Sequence, residues 1–303
     1  MALSGLKLPA IAAPMFMVSC PDLVVEACRA GLLGSFPALN CRDAEGYAAW
    51  LVEIRARLDG EPFAVNLSLR KGSPRLEADL AATVAAKVPV VLTSLGISRD
   101  LVARIHDYGG IVLHDVTTVR HAEKAAEAGV DGLILVCAGA GGHGGALNPF
   151  AFLGEVRSWF SGTLALAGAI STGRDIAAAR VMGADMVSIG TRFIATREAN
   201  APDAYKAMIL AAHAADIAYT AAPTGVPASF LRPSLAEWGV DPEASDHPTL
   251  DTATRTLRHA GREGKVWRDL WSAGQGSGAI RDIPTTAELC ARLIAEYRAV
   301  IPA

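Results

Sequence analysis

Cysteine is sparse in this chain and follows no pairing pattern. The five thiols, Cys20, Cys28, Cys41, Cys137 and Cys290, are odd in number and none sits in a C-x-x-C arrangement. A disulfide framework and a zinc site of cysteine ligands are therefore not expected, and a reducing cytoplasm is the setting they suit. Charge of one sign is also lacking. The formal net charge is −3 with no basic cluster, which argues against nucleic acid or an anionic membrane as a partner. No apolar run approaches the roughly 20 residues of a membrane span. The opening stretch MALSGLKLPAIAAPMF has no basic flank ahead of a long apolar core, so it does not read as a signal peptide.

What is abundant is aliphatic alternation. Hydrophobic residues make up 51% of the 303 positions, enough for one large core. Short apolar runs alternate with alanine-rich amphipathic stretches eight times over the first two-thirds. The runs are AIAAPMF (10–16), LLGSF, PFAVNL (62–67), VPVVLTS, GIVLHDV, VDGLILV, GTLALAG and ADMVSIG. Nearly continuous apolar strands are those of a parallel sheet buried on both faces. Eight successive βα units predict a closed (β/α)8 TIM barrel, with a doubly wound sheet as the structural rival.

The rhythm breaks over 200–285, where Pro202, Pro223, Pro227, Pro233, Pro242 and Pro248 punctuate short helical pieces such as DAYKAMILAAHAA. The pattern predicts a barrel formed by residues 1–199 and 286–303, with 200–285 inserted as a lid or cap over one mouth.

Chemistry concentrates in CAGAGGHGG (137–145), which sets one histidine among five glycines behind the sixth strand. Residues 139–144 formally match the dinucleotide fingerprint G-x-G-x-x-G. That fingerprint opens directly into a helix, whereas here Asn148 and Pro149 read as the helix N-cap and first position. In a barrel this loop lies at the C-terminal face, where active sites sit. His143 there suits proton abstraction from carbon, or it simply bonds the loop backbone. The loops after strands seven and eight, LAGAISTGRD and SIGTRF, suggest a phosphate held near Gly168, Ala169, Gly190 and Thr191. Ordinary strand-to-helix punctuation, with Thr172 and Thr191 as caps, is the alternative.

Asn66 ends strand three and either bonds a bound ring or caps the next turn. Asp115 ends strand five and either faces the mouth or caps the helix that begins near Thr117. Cys137 is a candidate nucleophile or an inert buried thiol. WSAGQG (271–276) reads as a segment folding back over the mouth, or as a structural turn.

The combination AGAGGHGG, GADMVSIGTRFIATREA and WSAGQGSGAI, with APMF, FAVNL and VRHAEKAAEAGVD in order, resembles the nitronate monooxygenase family across nearly the whole chain. Relatives on that scaffold include flavin-dependent enoyl-acyl-carrier-protein reductases and NADH:quinone reductases. The resemblance implies FMN, contacted by Met15, Asn66, Gly141, Gly142, Gly168, Gly190 and Thr191, with Ser272, Gly274 and Gln275 from the returning segment. It makes His143 the catalytic histidine. It implies that a nitronate or nitroalkane is oxidised with O2 to a carbonyl compound and nitrite. An NAD(P)H-dependent reductase of a quinone or enoyl thioester is the second reading.

Three positions depart from the family pattern. Asp115 stands where some members carry lysine, Val136 where some carry an acidic residue, and Ala169 where the phosphate loop has a second glycine. The substrate and electron donor stay open at this point. So does a homo-oligomer, because exterior helix faces of a barrel do not reveal which are covered by a partner.

Overall fold

A computed structural model describes residues 3, 5–244, 249–251 and 254–301. Pro248 lies outside the described residues. The eight expected strands form one closed, all-parallel barrel in sequence order. They alternate with helices as β1 (Ala10–Ala12), α1 (Pro21–Arg29), β2 (Leu33–Pro37), α2 (Ala44–Arg57), β3 (Ala64–Ser68) and α3 (Leu76–Ala85). The series continues with β4 (Val90–Ser94), α4 (Arg99–His106), β5 (Ile111–Val116), α5 (Val119–Glu127), β6 (Gly132–Val136) and α6 (Pro149–Arg157). It closes with β7 (Thr163–Ala167), α7 (Gly173–Val181), β8 (Met186–Ile189) and the single turn α8 (Thr191–Ile194). Closure comes from β1 pairing with β8, Ile11 opposite Ser188, which rules out the open doubly wound sheet.

Local chemistry starts the helices where the sequence says. Asp43 caps α2 by accepting from Gly46 N–H, and Asn148 caps α6 ahead of Pro149. Thr172 and Asp175 form a reciprocal capping box on α7. Each such cap is worth on the order of 1 kcal/mol. Strand one is shorter than the apolar run, since regular pairing ends at Ala12 and the chain turns over residues 16–18.

Side chains alternate in and out along each strand. The inward set, Ile11, Leu33, Ala64, Leu92, Leu113, Ile134, Ala165 and Met186 among others, packs into one buried cluster that fills the barrel. The outward set meets the helices in a larger core. Following the same alternation to the C-terminal ends, the inward positions become Asn66, Ser94, Asp115 and Val136. The barrel floor is aliphatic and its mouth is partly polar.

Residues 200–285 hold more than helical pieces. After α9 (Asp203–Ala211) come β9 (Ile217–Thr220), β10 (Ala228–Leu231), α10 (Arg232–Glu237), β11 (Leu250–Asp251), β12 (Thr256–His259), β13 (Arg262–Lys265) and α11 (Val266–Asp269). Strands β9 and β10 form one antiparallel pair and β11–β12–β13 a three-stranded sheet. Phe230, Leu235, Trp238, Leu257, Val266 and Leu270 give this segment a buried cluster of its own. The closing helix α12 (Thr286–Arg298) returns against α7, where Glu296 accepts from Gly173 N–H at 2.7 Å. Among the described residues no helix is long and apolar enough to cross a membrane.

Candidate functional site

The glycine loop after β6 is built by backbone contacts that side chains would block. Gly139 has φ +90° and its carbonyl accepts from both Ala169 N–H (3.2 Å) and Gln275 N–H (2.9 Å). A Cβ on Gly274 would come within 2.5 Å of that same carbonyl, and one on Gly141 within 3.0 Å of Gly274 N. Three segments far apart in sequence are thereby pressed together: 139–142, 168–169 and 274–275. Gly168, at φ +131°, makes the turn out of β7.

Ser272 fastens the far side of this loop. Its hydroxyl accepts from Gly142 N–H at 2.6 Å and donates to Ser229 O at 2.7 Å. Ser229 N–H in turn donates to Gly142 O at 2.9 Å, so β10 is bridged to the glycine loop. Tyr219 adds a hydroxyl bond to Gly144 O at 3.0 Å. Tyr205 donates to Ser272 O and stacks on Trp271 with centroids 5.2 Å apart. The WSAGQG segment therefore folds back onto the mouth.

His143 projects from this loop beneath the extension. Its Nδ1 lies 3.4 Å from Pro227 O, and its ring stands edge-on to Trp267 at 4.8 Å. A carbonyl oxygen can only accept, so Nδ1 carries the proton and Nε2 keeps its lone pair. Burial lowers the imidazole pKa, partly offset by the Pro227 contact, and the positive charges of Arg255 and Arg70 lower it further. That direction favours the neutral imidazole, in a residue that is itself exposed to solvent.

The loops after β7 and β8 offer backbone donors selectively. Among the described residues, the N–H groups of Gly168, Gly190 and Thr191 have no protein acceptor. Ala169 N–H is already given to Gly139 O. The first turn of α7 is committed too, since Asp175 accepts from Ser171 and Thr172 N–H at 2.9 and 2.8 Å. Thr191 is not a cap; its hydroxyl accepts from Gly274 N–H at 2.8 Å, and Gly190 occupies the N-cap position. Met15 flanks Gly190, its sulfur 3.8 Å from where a Cβ would stand. Asn40 donates to Met15 O at 3.0 Å, holding that loop in place.

Across the barrel, Asn66 reaches Ser94 Oγ at 3.3 Å and Leu92 O at 3.4 Å, so it braces β4 and does not cap a turn. Asp115 does not cap α5 either, because Thr118 does so through His121 N–H. Burial raises the Asp115 carboxyl to about 7. Cys137 is fully buried, and burial pushes its thiol to about 12; that leaves it protonated and unsuited to nucleophilic attack. The residues the sequence reading missed are Ser229, Pro227, Tyr205 and Trp267. The density of tryptophan in KVWRDLWSAG was the available signal.

The site thus joins a neutral imidazole, a glycine wall, a set of free amide donors and a polar arc on β3–β5. Comparison with known proteins fits this geometry. The nitronate monooxygenase family model matches residues 1–296. The chain is 31% identical to a nitronate monooxygenase of Pseudomonas aeruginosa over 98% of both chains. Among solved structures it resembles a nitroalkane oxidase of Streptomyces ansochromogenes (28% identity, TM-score 0.82, 99% of both chains). It also resembles FabK of Thermotoga maritima (26% identity, TM-score 0.85, 99% of this chain and 95% of that one).

Proposed function

The chain belongs to the nitronate monooxygenase family, and from that premise we propose that it oxidises nitronates, or the nitroalkanes that yield them, with O2 on bound FMN. The products are a carbonyl compound and nitrite. The observation that carries this reading is the neutral His143 imidazole with Nε2 free, set in a glycine wall at the barrel mouth.

The donor set suits FMN. The amides of Gly168, Gly190 and Thr191, without protein acceptors, are hard N–H donors of the kind phosphate requires. Asn66, whose amide N–H groups are given to Leu92 O and Ser94 Oγ, offers its side-chain carbonyl oxygen to a ring edge, with Asp115 two strands away on the same arc. Met15, Gly141, Gly142, Ala169, Ser272, Gly274 and Gln275 form the wall. Glycine at 142, with nothing within 4 Å of where a Cβ would stand, leaves room for a flat ring to approach the main chain. When bound, FMN supplies the electron acceptance that no side chain here provides.

The chain's own residues do the rest. His143 Nε2 takes the proton from the carbon of a neutral nitroalkane, and Pro227 O steadies the imidazolium through Nδ1–H. Trp267 limits water on one edge of that ring. Residues 200–285 act as a cover over the mouth of the barrel made by 1–199 and 286–303, tied down through Ser229 and Ser272. Five free thiols suit a cytoplasmic setting.

The test is a substrate split. His143→Gln should lose most turnover on a neutral nitroalkane, about 10²–10⁴-fold for a general base, and far less on preformed nitronate, with FMN retained. Equal loss on both would remove the general-base role. The likeness to FabK favours one second reading, reduction of a quinone or enoyl thioester by NAD(P)H on the same cofactor.

A further inference from the structure

Asp115 occupies the last inward position of β5, on the same side as Ile111 and Leu113. Its strand neighbours present Leu92 and Ser94 from β4, and Ile134 and Val136 from β6. Among the described residues, its carboxyl has neither a hydrogen-bond donor nor a cation. Its oxygens are not sealed in the interior either, since they are absent from the fully buried unpaired atoms. An unpaired carboxylate half-buried among aliphatics is costly, and a structural role would have supplied a partner. Other acids in this barrel have them: Asp131 takes Val112 N–H and His106, and Asp175 takes two amides.

Resting on the FMN reading above, we propose that Asp115 is the proton-holding group of the cofactor cradle: when the bound ring gains electrons, one proton enters at the Asp115 carboxylate so that negative charge does not accumulate in the mouth. Were FMN bound and reduced with dithionite as the electron source, Asp115 would hold one proton taken from solvent, beyond those the reduced cofactor itself would take. No protein bond breaks. Among the described residues no charged group acts on the Asp115 carboxyl. His114 and His121 lie behind β5, His143 stands on the loop after β6, and Arg70 and Arg255 lie on the rim. None of them contributes to its proton affinity, which burial alone sets at about 7. A nearby negative charge raises it further, which is the direction proton uptake on reduction requires.

The experiment follows the midpoint potential of the FMN-loaded protein against pH, for the wild type and for Asp115→Asn, with infrared difference spectra on reduction. From about pH 7 upward the wild-type potential should fall more steeply than that of Asp115→Asn, and the variant should hold the higher potential. A protonated-carboxyl band should appear on reduction in the wild type and be missing in the variant. Parallel pH curves, or a wild type without that band, would overturn the proposal while leaving the FMN reading intact. If the wild type takes up no FMN, both fall. Should Asp115→Asn not fold, Asp115→Ser and the wild-type spectrum decide the matter.

Discussion

The imidazole of His143 stands edge-on to the indole of Trp267, with ring centroids 4.8 Å apart and planes inclined at 63°. These two residues come from the loop after β6 and from α11 in the extension, so the environment of the histidine is set by a segment more than 100 residues away. Removing the cover should therefore change its titration. Trp267→Ala is expected to raise the His143 pKa toward the ordinary 6.5, because burial is the leading cause of its depression. Imidazole nitrogen resonances followed against pH measure it directly. An unchanged titration would mean that Trp267 does not shield the ring.

The same depression fixes a pH dependence. A general base works in its unprotonated form, so turnover of a neutral nitroalkane should rise with pH through the His143 pKa and level off above it. Since that pKa lies below 6.5, the plateau should already be reached at neutral pH. A rise centred well above pH 7 would point to another base.

Ser272 is the knot between extension and glycine loop. Ser272→Ala strips Gly142 N–H of its acceptor and Ser229 O of its donor. The expected cost is about 1–3 kcal/mol for the groups left unpaired, together with weaker FMN retention. Urea unfolding and flavin release measured on one preparation check both. A stability within error of wild type would remove this contact from the account.

Much of this was legible in the sequence, for physical reasons that can be named. Eight aliphatic runs, each followed by a helical stretch, leave a parallel barrel as the natural way to bury both strand faces. The caps Asn148 and Thr172 were readable because short polar side chains before a helix have one dominant use. The strands of the extension were not. IAYT, ASFL, TLRH and REGK are too short to establish a period, and their pairing is settled by tertiary contacts. Ser229, in β10, was missed for that reason. The glycine loop drew notice by composition, but the Ser272 hydroxyl that pins it lies 130 residues away.

Glycines in the chain should separate by environment. Gly274→Ala would drive a Cβ to 2.5 Å from Gly139 O, costing about 1–3 kcal/mol in displaced backbone and loosening the cofactor wall. Gly154→Ala, in the exposed face of α6 with nothing within 4 Å of the new Cβ, should instead stabilise by about 0.5–1 kcal/mol through helix propensity. Thermal unfolding of both variants makes the contrast, and equal effects would contradict it.

Acid stability should depend on Asp282. Arg292 and the buried Arg192 bond its carboxylate, and the Arg292 hydrogen bond leads in holding its pKa below the ordinary value. A depressed acid contributes stability above its unfolded pKa of about 3.9 and loses it as pH falls through the lower folded value. Asp282→Ala should remove about 1 kcal/mol at neutral pH, the solvent-screened worth of a half-exposed carboxylate on Arg192 and Arg292, and flatten the acid limb of the stability curve. An acid limb identical to wild type would show that the pair does not matter.

The most direct test of the central claim is anaerobic. FMN-loaded protein is mixed with propyl-2-nitronate in one cuvette and with NADH or NADPH in another, and the visible flavin absorbance is followed. Rapid loss of the oxidised spectrum with nitronate, and none with either nicotinamide, is the predicted result. Bleaching by a nicotinamide alone would contradict it and make this chain a reductase.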